Sequence, residues 1–490
     1  MARERWSSRT IFLFAAIGSA VGLGNFWRFP FLTYKFGGGA FLVPYLIALL
    51  VIGTPLLILE FALGQKLQRG AVGSFRAINS KLGGIGLAAI MAGFIVVVYY
   101  VVIMAWSLLF LVKSFQFPLP WAGDSESYFF GSILNISDSV GSFGGINIPL
   151  LISLFAVWVA IYFIVWKGVK SVGKVVMITV PLPIILLIVL LIRGITLPGS
   201  FSGIAAYLRP DFGALLSTEI WTAAVSQIFF TLSLAFGIMI AYASYNKNNQ
   251  DVAGDTYITV ISNTLISLVA GFVVFSILGY MAASTSVPLE SVVEGGPSLA
   301  FVVFPQALSL LPWAPLFAVL FFLTLLSLGI DSAFSLVEAA NTAISDRYKN
   351  PNTSKIAFFV VGLAFLLGIL FVTGAGLYFL DIVDHFVTNY TLVIVGIFES
   401  IAVGWVYGAD RLREYINSVS KIKLGRWWNV SIKYVVPLTL IVLLITQFVR
   451  DIVTPYGGYP GWALAIGWLT VIVPVIIGIF FCLTGSWNKK

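Results

Sequence analysis

The chain has a single cysteine, Cys482, and a single histidine, His385, among its 490 residues. One thiol excludes an intrachain disulfide framework. One imidazole excludes a multi-histidine metal centre, and no Ser-His-Asp or Cys-His arrangement can be assembled around it. Charge is also scarce. Asp, Glu, Lys and Arg make up 10% of the residues, against about 25% in an ordinary soluble domain. Apolar residues make up 59% and mean hydropathy is +1.01. Apolar runs of about 18 residues or more recur along the whole length, each able to cross roughly 30 Å of hydrocarbon. The expected class is an all-α polytopic membrane protein, with no loop long enough to hold a soluble domain.

The pattern predicts about twelve membrane-spanning helices. They fall at 10–36, 39–68, 84–115, 147–166, 172–193, 217–246, 253–283, 314–345, 354–374, 379–406, 428–449 and 461–484. The longest external connections are 116–146 and 194–216. Residues 284–313 hold Pro297 and Pro305 between apolar runs and are expected as a re-entrant or surface helical hairpin. The net charge of +8 does not point to nucleic acid, because the basic residues group in alternate loops. The groups are Arg3, Arg5 and Arg9; Lys66, Arg69, Arg76 and Lys81; Lys167, Lys170 and Lys174; Arg347, Lys349 and Lys355; Arg411, Arg413, Lys421, Lys423 and Arg426; and Lys489 with Lys490. Such asymmetry marks cytoplasmic loops, so both termini are expected in the cytoplasm and the protein in the plasma (inner) membrane. The N-terminus passes from charges into a long apolar stretch without a small-residue cleavage site and is not read as a signal peptide.

Two apolar runs contain residues that do not belong in a plain spanning helix. Span one carries Gly22, Gly24, Asn25 and Arg28 within the stretch from Ala20 to Pro30. Glycine weakens a helix, and an intramembrane Asn or Arg is costly without a polar partner. Span six carries Thr231, Ser233 and Gly237 between Ser226 and Gly237. Unwound backbone survives in a bilayer only inside protein or beside a cavity. Gly18 and Gly22 also have the small-xxx-small spacing of close helix packing. Packing alone does not account for Asn25, Arg28 and the second break. Corresponding breaks in two halves point to repeats of opposite topology around a midplane site. The expected organisation is a first repeat at 1–193 (spans one to five), an extracellular loop at 194–216, a second repeat at 217–406 (spans six to ten) and two further helices in 407–490. This organisation suits a secondary transporter. An amino-acid sensor on the same scaffold is the alternative. An enzyme would need an acid/base or metal pair, and none is visible. A channel would need a continuous polar stripe.

Four stretches carry a family resemblance: Gly-Asn-Phe-Trp-Arg-Phe-Pro at 24–30, Gly-Gly-Gly-Ala-Phe-Leu-Val-Pro-Tyr at 37–45, Gln-Ile-Phe-Phe-Thr-Leu-Ser at 227–233 and Leu-Gly-Ile-Asp-Ser at 328–332. With them the whole chain resembles the neurotransmitter:sodium symporters, the LeuT-fold amino-acid and monoamine transporters, in a prokaryotic-type amino-acid form. The resemblance implies two sodium sites. The first would use the Ala20 carbonyl, Asn25, Thr231, Asn263 and the substrate carboxylate. The second would use the Gly18, Val21 and Leu328 carbonyls with Asp331 and Ser332. Sodium, like other hard cations, favours such oxygens. A bare Asp331 in an apolar span costs about 3 kcal/mol or more. A cation would offset this, as would protonation and an interhelical hydrogen bond.

The resemblance places the substrate carboxylate at the Leu23 and Gly24 amides, where a helix N-terminus favours an anion, with Tyr100 donating to it. Tyr99 and Tyr100 could also be plain core aromatics. The amine would meet carbonyls near Ala20 and Phe230 and the region of Ser233, with Ser332 alongside. Val96, Phe230, Phe236, Ala333 and Leu336 would surround an apolar side chain. Monoamine members carry aspartate where this chain has Gly22, so the implied substrate is a neutral, mainly hydrophobic L-amino acid with its own carboxylate. Ala235 stands where relatives often have glycine. Tyr45, Gln227, Thr231, Asn263 and Ser267 resemble chloride-site positions. Chloride-independent relatives place a carboxylate near Ser267, so chloride assistance is implied, unless a carboxylate elsewhere supplies the charge. Implied gates are Arg28 with Asp384, just outside the site and above the lid of Phe236, and Arg3 with Trp6 against Asp346. Glu60 and Glu399, without an assigned ion, are expected to share a proton or to bond nearby backbone.

Overall fold

The computed structural model describes residues 4–348 and 350–484. Arg3, Lys349, Lys489 and Lys490 lie outside the described residues. Among the described residues, ten helices are long and apolar enough to cross a membrane: Gly38–Leu67, Ser80–Lys113, Ile148–Val165, Val169–Ile195, Val252–Thr285, Ala314–Ser345, Thr353–Val372, Gly376–Val419, Arg426–Gly458 and Gly461–Thr484. Two further segments are interrupted. One is Arg9–Ala20 followed by Leu23–Lys35, whose axes diverge by 63°. The other is Thr218–Thr231 followed by Ile238–Ala243. Each apolar run expected as a span is thus helical, and the two interruptions fall in spans one and six. This is a multi-pass membrane protein, because only helices satisfy their own backbone groups at such hydropathy.

Burial separates inner spans from outer ones. The apolar window of span three is 72% buried inside the protein, whereas that of span eleven is 22% buried. Span eleven turns Val442, Ile445 and Phe448 outward, a face suited to lipid. Spans one, three, six and eight therefore enclose the centre, and the breaks lie there.

Local backbone explains each break. Val21 and Gly22 are both extended (φ −88°, ψ 106° and φ −134°, ψ −166°), which separates the two halves of span one. In span six, Ser233, Ala235 and Gly237 adopt φ of +52°, +64° and +72°. No right-handed helix passes through alternate left-handed residues. Two of them carry side chains, at a cost of roughly 1–2 kcal/mol each.

Span ten ends at Gly408, close to the expected 406, and a separate polar helix continues the chain to Val419. Wide helical turns run through Ala402–Gly408, Gly408 then leaves the helix at φ +92°, and the polar helix Ala409–Val419 follows. Hydropathy stops at 406 because Asp410, Arg411, Arg413 and Glu414 follow. The segment 284–313 is not a hairpin. It holds a single turn at Leu289–Ser291 and one apolar helical piece, Leu299–Ser309. Phe301 packs against Trp27 at 6.3 Å and Phe304 against Phe26 at 5.3 Å. These aromatic contacts hold the piece against span one, where a second apolar arm would find no room.

Candidate functional site

The breaks redirect the backbone groups of span one. The Gly22 amide, which would close a helical turn onto Gly18, donates instead to Asn25 Oδ1 at 2.8 Å. The Asn25 amide, which would close onto Val21, donates to the Gly22 carbonyl at 3.1 Å. The Leu23 amide donates to the Tyr100 hydroxyl at 3.3 Å. The carbonyls of Gly18 and Val21 thereby lose their helical donors. The Ser19 carbonyl is answered by the hydroxyls of Ser233 at 2.9 Å and Ser332 at 3.3 Å.

Beside this break lies a cavity. Every residue expected to contact substrate lines it except Ala333, which is buried behind the lining. Ser19, Asn25, Thr231 and Ile238 line it as well. One end is polar, with Gly22, Leu23, Gly24, Tyr100 and Ser332. A side chain at Gly22 would place its Cβ 2.8 Å from Ser332 Oγ and 3.1 Å from Tyr100 Oη, so glycine keeps this end open. The other end is apolar, with Val96, Phe230, Phe236, Ile238 and Leu336. The Phe230 and Phe236 rings stand edge to face, 6.4 Å apart.

Asn25 joins three elements. Its Nδ2 lies 3.0 Å from Thr231 Oγ1, 2.8 Å from Asn263 Oδ1 and 2.7 Å from Ser267 Oγ. Three oxygens converge on a nitrogen with two hydrogens, and a half-turn of the amide would add its own oxygen to the set. Asp331 is 2% exposed and accepts from Thr179 Oγ1 at 2.6 Å. A Cβ on Gly18 would lie 3.0 Å from both Cβ and Cγ of Asp331, so the span-one backbone rests directly on the carboxylate-bearing side chain. Leu328 and Ser332 flank Asp331 on span eight. The side chains of Asn25, Thr231 and Asn263 are thus brought together at one expected cation position, and Asp331 lies against Gly18 at the other; oxygens of these kinds suit a hard cation.

The expected anion positions are also distinctive. Tyr45 Oη, Gln227 Nε2 and Asn263 Nδ2 are buried without a hydrogen-bond partner. Gln227 Oε1 shares that state. Ser267 Oγ donates to the Asn263 carbonyl at 3.0 Å. Buried donors left unpaired are costly, and an anion would satisfy them.

The expected outer pair is not a direct ion pair. Asp384 Oδ1 accepts from the Tyr99 hydroxyl at 2.6 Å. Arg28 Nη2 donates to Ser226 at 2.9 Å, and its guanidinium lies 5.6 Å from the centre of the Phe230 ring. Tyr99 satisfies the acid while Arg28 turns towards span six. At the opposite end Trp6 is buried; its indole donates to the Tyr242 carbonyl at 2.8 Å and stands edge-on to Tyr242 and Tyr245. Asp346 accepts from the Gly70 amide at 2.7 Å, and Arg3 lies outside the described residues. Glu60 bonds backbone as expected, accepting from the Ala235 amide at 2.8 Å. Its second oxygen and one oxygen of the neighbouring Glu399 have no donor.

The sequence profile of the Sodium:neurotransmitter symporter family matches residues 3–128 and 122–488. The chain belongs to that family. This symporter is 42% identical over 481 residues to an uncharacterized sodium-dependent transporter of Methanocaldococcus jannaschii, covering 98% of this chain and 97% of that protein. It is 38% identical to the sodium-dependent dopamine transporter of Bos taurus, covering 100% of this chain and 76% of that protein. It is 35% identical to the sodium- and chloride-dependent glycine transporter 2 of Xenopus laevis, covering 97% and 68%. The symporter thus shares nearly its full length with sodium-dependent transporters. The sequence does not single out Ser19 and Thr179, whose only signal is a hydroxyl in an apolar run, and it leaves Tyr99 as a core aromatic.

Proposed function

We propose that this symporter uses the inward sodium gradient to import neutral, mainly hydrophobic L-amino acids with the assistance of chloride. The carrying observation is a cavity lining that joins polar groups at Tyr100 and Ser332, with room left by Gly22, to the apolar side chains of Val96, Phe230, Phe236, Ile238 and Leu336, and that contains no charged residue. A zwitterion with an apolar side chain matches both ends. Its carboxylate would lie at the N-terminus of Leu23–Lys35 beside Tyr100, where helix amides favour an anion. An uncompensated charge at the apolar end would be costly.

In this reading Ala20, Asn25, Thr231 and Asn263 hold one sodium ion next to the carboxylate. Gly18, Val21, Leu328, Asp331 and Ser332 hold the second. Each sodium ion moving down 100 mV contributes roughly 2.3 kcal/mol, enough for two ions to support concentrative uptake. Residues 1–193 and 217–406 act as inverted repeats, with both termini cytoplasmic in the plasma (inner) membrane. Alternating access rocks spans one, two, six and seven against the rest. Arg28, Tyr99, Asp384 and Phe236 close the outside, and Trp6 with Arg3 and Asp346 closes the inside.

Competition binding tests the substrate class. Leucine-like and aromatic L-amino acids are expected to displace one another in sodium, while their decarboxylated amines bind about a hundredfold more weakly, because the polar end is left unpaired. Tight sodium-dependent binding of an amine without a carboxylate would contradict this.

Chloride has its own test. Tyr45, Gln227 and Asn263 contribute the unpartnered donors, and Ser267 supplies no charge. Two sodium ions with a zwitterion leave an excess of positive charge that an anion would balance. Replacing chloride with gluconate is expected to lower uptake. Ser267→Glu is expected to retain uptake without chloride, since a fixed carboxylate takes the place of the anion. Equal uptake by the unaltered protein in chloride and gluconate would remove chloride from the account.

A further inference from the structure

Span eight carries a second buried carboxylate that the binding cavity does not use. Glu338 lies seven residues after Asp331 in the unbroken helix Ala314–Ser345. Seven residues make nearly two turns, so both acids share one face about 10 Å apart along the axis. Glu338 is 2% exposed and Asn341 5% exposed. Glu338 Oε1 lies 3.3 Å from the Tyr245 hydroxyl and 3.5 Å from that of Thr342. Glu338 Oε2 and Asn341 Oδ1 have no well-formed hydrogen bond, although the Asn341 side chain lies within reach of the carboxylate. Both orphaned atoms are acceptors, so what is missing is a positive charge or a donor. A buried carboxylate oxygen left in that state is expensive.

The route from Asp331 is also lined with oxygen. The buried Tyr242 hydroxyl lies among Asp331, Ser335 and Glu338, with the Ser335 side chain within reach. Beyond Glu338, Trp6 closes the end, held by its bond to the Tyr242 carbonyl. Displacement of Trp6 would open Glu338 before it opened Asp331.

We infer that Glu338 and Asn341 form a transit site for sodium, which receives the ion from Asp331 and passes it out past Trp6. The inference rests on the reading of Asp331 as a sodium ligand. Glu338 is not part of the equilibrium substrate site. Its carboxylate lowers the barrier for the ion's departure and affects the affinity of the closed cavity less than it affects turnover.

The test compares two readouts on the purified full chain with L-leucine as probe. One is the sodium dependence of leucine binding at equilibrium. The other is the turnover of sodium-driven leucine uptake into liposomes with a sodium-free interior. For Glu338→Gln, turnover is expected to fall about a hundredfold while the sodium concentration for half-maximal binding moves less, by roughly tenfold, the order that one charge some 10 Å from the bound ion gives at an effective dielectric constant of about 20. Glu338→Asp keeps the charge and is expected to restore most of the turnover. Unchanged turnover in Glu338→Gln would overturn the inference, as would a loss of binding equal to the loss of turnover. A proton gradient that drives uptake in place of sodium, with the drive abolished by Glu338→Gln, would show a proton site instead and also overturn it. Absence of sodium-dependent binding in the unaltered protein would overturn the reading of Asp331 first, a result distinct from these.

Discussion

Asn25→Ala is expected to abolish sodium-coupled uptake, with a loss of at least about a hundredfold, because several buried hydrogen bonds disappear together. The side chain holds the Gly22 amide at 2.8 Å and faces Thr231, Asn263 and Ser267. Alanine removes the clamp that keeps the break of span one in shape. It also leaves the Asn263 and Thr231 oxygens without their central partner. Asn25→Asp keeps an oxygen in place and is expected to retain part of the uptake at high sodium. Uptake measured in proteoliposomes checks both variants. Full uptake by Asn25→Ala would detach this residue from the coupling mechanism.

Asp331→Ala is expected to raise the sodium requirement by roughly ten- to a hundredfold, as removal of a charge in direct contact with a cation implies in partly buried surroundings. The carboxylate lies against the Gly18 backbone and accepts from Thr179. Thr179→Ala provides the contrast. It removes a hydroxyl that orients the acid but leaves the charge, so its effect is expected to be several times smaller. Sodium titrations of substrate binding read both changes. An Asp331→Ala protein with an unaltered sodium requirement would show that the acid is structural.

Much of this arrangement could be read from the sequence for one physical reason. In hydrocarbon, polar or backbone-exposing residues are costly, so Gly22, Asn25, Arg28, Ser233 and Asp331 stand out against apolar runs. Other members of the site leave no such mark. Ser19, Thr179 and Ser335 are single hydroxyls, which can bond their own helix anywhere in a membrane span. Only the folded chain brings Ser19 Oγ to 2.9 Å from Ser335 Oγ. Tyr99 resembled a core aromatic until its hydroxyl met Asp384. The short piece Leu299–Ser309 depends on the aromatic surface of span one, which hydropathy does not contain.

The most direct test of the account is leucine uptake into liposomes holding the purified chain, with sodium outside in one arm and potassium replacing it in the other. Accumulation above the external concentration with inward sodium, and collapse of that accumulation when an ionophore dissipates the gradient, is the expected result. Uptake of equal rate and extent in both arms would contradict the sodium coupling on which every assignment here depends.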